Sequence, residues 1–278
     1  MKCNSSNYFK RAAFLFFIVL VLILAQEAYA LQKFFVPAAP PKSHYRIEAR
    51  IDLEKALVEG QETIIFKNTS SLQISVLAFD WAVKDSRTIK LEIERKPLIL
   101  LNSEKTPPLS YPLLYELPRP VRPRAKVRID VKFSATDLIP AQRDEIKFTN
   151  WFPRLWWDGL PVHDSFEVKV NVPEGYALAA SGLFNKKSGC YENKGVKTFG
   201  LYLGKGLKAE KREVDGILIT SLFTEKGSEC AKLCLETATD VVRFYKDWLG
   251  FYPFKFLSII PGAEIPMGGY PFASGIVV

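Results

Sequence analysis

The stretch Ser228–Val278 constrains this chain most, because it joins one strongly amphipathic helix to two apolar strands and stops inside the second. Ala231, Cys234, Leu235, Ala238, Val241, Val242, Tyr245, Trp248 and Leu249 recur at i, i+3, i+4 and i+7, which predicts a helix with a broad apolar stripe. Ser228 is the expected N-cap, Glu229 falls in the first turn, and Gly250 followed by Pro253 marks the stop. Phe254, Phe256, Ile259 and Ile260 read as a buried strand, after which comes the Gly/Pro-rich run EIPMGGYPFASGIVV. A second apolar strand, Gly275 to Val278, would leave an open sheet edge at the terminus, where unpaired backbone groups are a liability. The expectation is a domain that begins here and continues beyond Val278.

The other end of the chain reads as an address. Lys2, Lys10 and Arg11 precede an apolar segment from Ala12 to Ala25, and Ala28-Tyr29-Ala30 is a small-x-small site, so residues 1–30 are expected to be a secretory signal. The alternative is an uncleaved membrane anchor, disfavoured because the apolar core is shorter than the roughly 20 residues of a spanning helix. Either way the bulk of the chain is expected outside the cytoplasm: periplasmic, extracellular or anchored and facing outward. The formal charge is +8, but acids and bases alternate, and the densest basic run, Lys205 to Arg212, contains Glu210. That pattern fits a solvated surface, and no nucleic-acid recognition motif is present.

Residues 31–43, with Pro37, Pro40 and Pro41, form an expected stiff lead-in. From His44 the periodicity switches to two: Tyr45, Ile47, Ala49 and Ile51, an expected turn through Glu59-Gly60, then Thr63 to Phe66. Ile74–Trp81, Ile89–Ile93, Leu98–Leu101, Val127–Phe133, Phe166–Val172 and Ile217–Phe223 extend the series of short strands. Pro107, Pro108, Pro112, Pro118, Pro120 and Pro123 argue against a central strand or a helix in their interval. With no helical pattern before Ser228, the expected fold is mostly β: an antiparallel β-sandwich over 44–225, then a helical segment over 226–278.

Candidate chemistry is sparse. The two histidines, His44 and His163, stand in different strands, so there is no H-E-x-x-H pair to hold zinc and no metal site is expected. His163 adjoins Asp164, but neighbours on a strand point to opposite faces. Asp158 and Asp164 flank a loop after Trp151, Phe152, Trp156 and Trp157. That cluster reads as an interface between the sandwich and the next domain, with a carbohydrate-type site as the alternative. Cys190, Cys230 and Cys234 are expected as buried thiols; Cys230 and Cys234, one helical turn apart without a further Cys or His, make a poor metal site, and a disulfide between them would strain the helix. Asn68-Thr69-Ser70 fits an N-glycosylation sequon. Gly268 and Gly269, between Pro266 and Pro271, match neither phosphate-loop pattern; they are expected to expose backbone N–H and C=O groups to an extended ligand.

Three passages resemble one family. HYRIEARIDLEKALVEGQETIIFKNTSS looks like the first strands of the gluzincin zinc aminopeptidases, the group of aminopeptidase N and leukotriene hydrolase. TNWFPRLWWDG with HDSFEVKVNVPEGYALAASG resembles that family's W-[FY]-P segment and following strand. ATDVVRFYKDWLGFYPFKFLSIIPG is similar to the helix that opens its thermolysin-like catalytic domain. The resemblance implies a saddle-like β-sandwich domain followed by the first helix and strands of a truncated thermolysin-like α/β domain. The implied activity is zinc-dependent hydrolysis from peptide amino termini. The sequence departs from the family twice. Met267-Gly268-Gly269-Tyr270-Pro271 stands where the family has its amine-holding glutamate loop, with Glu264 the nearest acid, and no zinc helix precedes Val278. The expectation is therefore no cofactor and no catalytic residue in this chain, zinc only for a complete catalytic domain, and Gly268, Gly269 and Tyr270 on the substrate side. A non-catalytic, envelope-associated peptide- or glycan-binding module is the alternative. A peptide substrate is expected only for the completed domain, and membrane contact only through an uncleaved signal segment.

Overall fold

The computed structural model describes residues 42–81, 85–101, 112–141, 144–157, 163–224 and 227–260, together with the backbone of 270–272 and 275–277. In chain order the first strands are β1 (Lys42–Asp52), β2 (Leu57–Lys67), β3 (Ile74–Asp80), β4 (Arg87–Ile93), β5 (Lys96–Pro97), β6 (Ile99–Leu100) and β7 (Leu113–Val121). Then come β8 (Lys126–Ala135), β9 (Glu145–Phe148), β10 (Arg154–Leu155), β11 (Asp164–Asn171), β12 (Tyr176–Ala180), β13 (Leu183–Asn185) and β14 (Cys190–Val196). The last part holds β15 (Leu201–Lys205), β16 (Lys208–Val214), β17 (Ile217–Phe223), helix α1 (Ser228–Leu249), β18 (Phe256–Ile260), β19 (Tyr270–Phe272) and β20 (Gly275–Val277).

Eight strands form the main sheet in the order β13-β14-β11-β1-β2-β8-β4-β5, and β10-β3-β7-β6 form a second of four. Period-two alternation decides what lies between them. Tyr45 and Ile47 of β1, Ile64 and Phe66 of β2, Ile129 and Val131 of β8, and Phe166 and Val168 of β11 share one core with Leu77, Phe79, Leu113 and Tyr115 of the smaller sheet. Each such large side chain taken fully out of water stabilises by roughly 1.5–3 kcal/mol. The expected sandwich is present and mostly antiparallel. One central pairing is not: β1 runs parallel to β11 with Tyr45 opposite Phe166, a direction that alternation alone does not encode.

Two local expectations are corrected. The turn between β1 and β2 is at Leu53–Ala56, where Asp52 Oδ1 accepts the Lys55 N–H at 3.1 Å and Ala56 takes a φ of 51°. Gly60 instead lies inside β2, opposite Ala49 and Phe133. Its missing side chain makes room for a ring: a Cβ there would sit 2.5 Å from Phe133 Cζ and 3.1 Å from the Glu48 carbonyl. Gly60→Ala is expected to cost about 1–3 kcal/mol through overpacking, read as a lowered urea midpoint; an unchanged midpoint would show that the ring moves freely. The proline-rich interval also does hold an interior strand, since β7 lies between β3 and β6. Pro118 and Pro120 fall between Glu116 and Val121, where the β3–β7 register is broken, so neither is asked for a ladder hydrogen bond.

A three-stranded sheet, β12-β15-β9, and a five-stranded sheet, β16-β17-β18-β20-β19, complete the structure. The five-stranded sheet takes in β16 and β17, which the sequence pattern assigned to the sandwich. β17 and β18 run parallel with Ile219 opposite Leu257, and α1 is the crossover between them. Leu235, Ala238 and Val242 of α1 pack on Val214, Ile217, Ile219, Leu257 and Ile259. A separate contact of Ile260 with Ala179 and Tyr202 ties this sheet to the three-stranded one.

Helix α1 stops where expected, with Gly250 in the left-handed region at φ 77°. It starts one residue earlier than expected: Gly227 is the N-cap, and no side chain caps the first turn. Only one flank of the predicted stripe is covered. Val241, Tyr245, Trp248 and Leu249 are exposed, and Tyr245 and Trp248 form an aromatic cluster with Phe244.

Candidate functional site

Of the residues expected on the substrate side, only Tyr270 belongs to a described strand, at one edge of the five-stranded sheet. Gly268 and Gly269 lie outside the described residues, and Tyr270 opens β19. β19 is outermost in the strand order and runs antiparallel to β20, with Tyr270 opposite Val277. Within the described sheet, its other edge faces no strand. Such an edge presents a row of backbone donors and acceptors that an extended peptide can pair with.

The other sequence candidates are dispersed. Trp151, Phe152 and Trp157 are buried in the sandwich core and make neither an interface nor a sugar platform. Trp151 contacts Phe152 and Phe133 edge-on, and Trp157 stacks on Phe66. Asp158 lies outside the described residues. His163 is exposed and its neighbour Asp164 is buried, on opposite faces as the strand period requires. His44 meets Glu167 at 3.3 Å, and Arg46 binds the same carboxylate at 3.0 Å, a surface ion group. The Asn68 sequon is structural: its buried amide donates to the Leu72 and Val121 carbonyls at 2.7 and 2.9 Å. The three described cysteines are free and none is fully buried as expected: Cys230 is exposed, and Cys190 and Cys234 are half-buried. Among the described residues, no group of three or more His, Cys, Asp or Glu side chains could hold a metal ion.

Sequence reasoning missed a cluster of buried polar groups on the inner face of β1, β2 and β11. Asp164 accepts the Ser43 N–H at 3.0 Å, and the Tyr45 hydroxyl accepts the Leu155 N–H at 3.1 Å. Arg154 holds Asp80 through Nη2 and, at 2.8 Å, through Nε. Glu62 is 3% exposed, and neither carboxylate oxygen has a partner. Burial raises its pKa well above the ordinary value. The signal for Glu62 was its parity: it shares the inward register with Ile64 and Phe66.

Burial pushes Asp164 up to about 7, although the Ser43 N–H and the Arg154 charge both favour its ionised form. The folded state therefore keeps a proton that the unfolded chain releases near pH 4. Stability contributed by this group is full below pH 4, falls as pH rises toward 7, and is flat above. The slope is at most about 1.4 kcal/mol per pH unit. Asp164→Asn is expected to flatten that part of the stability–pH curve in chemical denaturation series; an unchanged slope would remove Asp164 from the account. Asp164, Glu62 and Tyr45 are each at most 3% exposed, so these groups act on stability.

No protein-family model matches the chain, and no curated protein matches it by sequence. The fold does have a counterpart. A solved structure of a two-domain M1 zinc metallopeptidase mutant bound to L-tryptophan superposes with a TM-score of 0.58 at 15% identity, over 84% of this chain. The fold resembles the amino-terminal part of an M1 metallopeptidase. The chain spans 59% of that structure's length. In this chain the sandwich comes first, and β20 and β19 then lie beyond β18 in the five-stranded sheet, with β19 outermost.

Proposed function

We propose that the chain is the exported amino-terminal portion of an M1-type zinc metallopeptidase, in which the sandwich shapes a cleft and α1 with β17–β20 begins the catalytic domain. The observation that carries the reading is the parallel β17–α1–β18 unit following the sandwich in the order of an M1 fold. The uncovered aromatic flank of α1 supports it, because exposed apolar patches of that kind mark surfaces that a partner element covers. In this reading Gly268, Gly269 and Tyr270 bind an extended peptide through backbone hydrogen bonds along the edge that β19 begins. The two histidines stand apart, at positions 44 and 163, and among the described residues no group of His, Cys, Asp or Glu fits zinc; this reading therefore expects the metal and its water on residues of the completed catalytic domain. The replacement of the glutamate loop by Gly-Gly-Tyr-Pro removes the acid that would select a free amine, so the completed enzyme is expected to tolerate peptides with a blocked amino terminus.

The test is hydrolysis by a product extended through the zinc helix, assayed on aminoacyl anilides and on amino-acetylated peptides with and without chelator. Chelator-sensitive cleavage of both supports the reading. A metal-loaded product that cleaves neither overturns it.

A second reading rests on a concavity of about 740 Å³ across the outer face of the eight-stranded sheet, lined by Glu48, Arg50, Gln61, Lys90, Lys132 and Lys169. It is open, carries charged side chains of both signs, and fits a non-catalytic peptide- or glycan-binding module. That module predicts binding lost on Lys90→Ala and Lys132→Ala, with no dependence on sequence beyond Val278.

A further inference from the structure

The first two turns of α1 bring Cys230 and Cys234 together, with Sγ atoms 3.9 Å apart. Both are free, Cys230 is exposed and Cys234 partly buried against the core under the helix. Residues four apart on a helix share a face, so the backbone holds the two sulfurs side by side at the protein surface. Burial and the neighbouring thiol both raise the Cys234 pKa.

At 3.9 Å the two thiols are in contact with nothing between them. Two thiolates bound to one ion at about 2.3 Å each span from about 3.8 Å at a tetrahedral opening to about 4.6 Å when collinear, a range that rotation of the exposed Cys230 side chain covers. A disulfide needs the sulfurs near 2.05 Å and the Cβ atoms closer than adjacent helical turns hold them. The pair is thus set for bridging by an ion without deforming the helix. Zinc prefers four protein ligands in a closed site, and no third His, Cys, Asp or Glu joins the two thiols among the described residues. Soft thiolates select Cu(I), which does not require a complete four-ligand cage.

We infer that Cys230 and Cys234 form a surface bis-thiolate site for one soft monovalent cation, Cu(I), with any remaining position open to an exogenous ligand. Binding releases the two thiol protons to solvent, forms two Cu–S bonds and changes no oxidation state. Affinity accordingly rises with pH across the thiol range.

The experiment uses the whole chain, kept reduced with a phosphine, without oxygen, and titrated with Cu(I) against a chromophoric Cu(I) chelator. Cys3 and Cys190 are first replaced by serine, so that only the helix pair remains. The expected result is one Cu(I) per chain with thiolate-to-copper charge-transfer absorption. Adding Cys230→Ser or Cys234→Ser lowers the affinity by more than the roughly 100-fold that loss of an outer-shell partner costs. Far-ultraviolet circular dichroism checks that each variant keeps its fold, and Cys230→Ser, at an exposed position, is the decisive variant. Failure of the Cys3→Ser/Cys190→Ser chain to take copper from the chelator overturns the inference. Uptake that persists after both helix cysteines are replaced overturns it as well.

Discussion

Trp151→Ala is expected to lower stability by about 3–5 kcal/mol, a shift of roughly 10 °C in melting midpoint for a chain of this size. Trp151 is fully buried and wedged between Phe133 and Phe152, with ring centroids at 6.3 and 4.9 Å. Its Nε1–H also donates to the Phe199 carbonyl at 2.9 Å, so truncation opens a cavity and leaves a buried acceptor unpaired. Trp156→Ala is the control, because that neighbour is only half-buried. Equal losses at the two positions would mean that Trp151 is not the keystone of this core.

Arg154→Ala is expected to cost a similar amount, about 3–5 kcal/mol, for an electrostatic reason. The side chain is paired with Asp80, and its loss leaves a carboxylate that is 8% exposed without its cation. It also removes the positive charge that favours ionisation of Asp164. Adding Asp80→Asn to Arg154→Ala is expected to recover part of the loss, because the uncompensated charge disappears. If the double variant is no more stable than the single one in denaturant melts, the cost is packing and the charge argument fails.

The backbone of the fold was readable where a period was strong. Alternation in β1, β2, β8 and β11 gave the sandwich, and the 3.6-residue period with Gly250 gave α1 and its end. Partners were less readable, since side-chain periodicity says which face is buried and not which strand lies beside it. Hence the parallel β1–β11 pairing, and the place of β16 and β17 beside β18, emerged only in three dimensions. Residue type misled in two places. Gly60 looked like a turn because a tight turn and a close ring contact both require a missing Cβ, and the prolines of β7 looked like strand breakers because a bulge is invisible in one dimension. Half of the α1 stripe is apolar yet exposed, which sequence could not separate from core.

The candidate site was legible only as a segment. Tyr270 opens β19, the outermost described strand of its sheet, while Gly268 and Gly269 lie outside the described residues. The buried carboxylates Glu62 and Asp80 passed unnoticed because charged residues in strands are expected to face water. Inward parity next to Ile64 was the overlooked clue for Glu62.

The most direct test of the account is to read the coding sequence immediately beyond Val278. An M1-type reading predicts an H-E-x-x-H helix followed downstream by a glutamate, in the same or a shifted frame, within the length by which an M1 chain exceeds this one. A downstream sequence that encodes no such helix in any frame would contradict it and leave the chain as a binding module built on an M1-like fold.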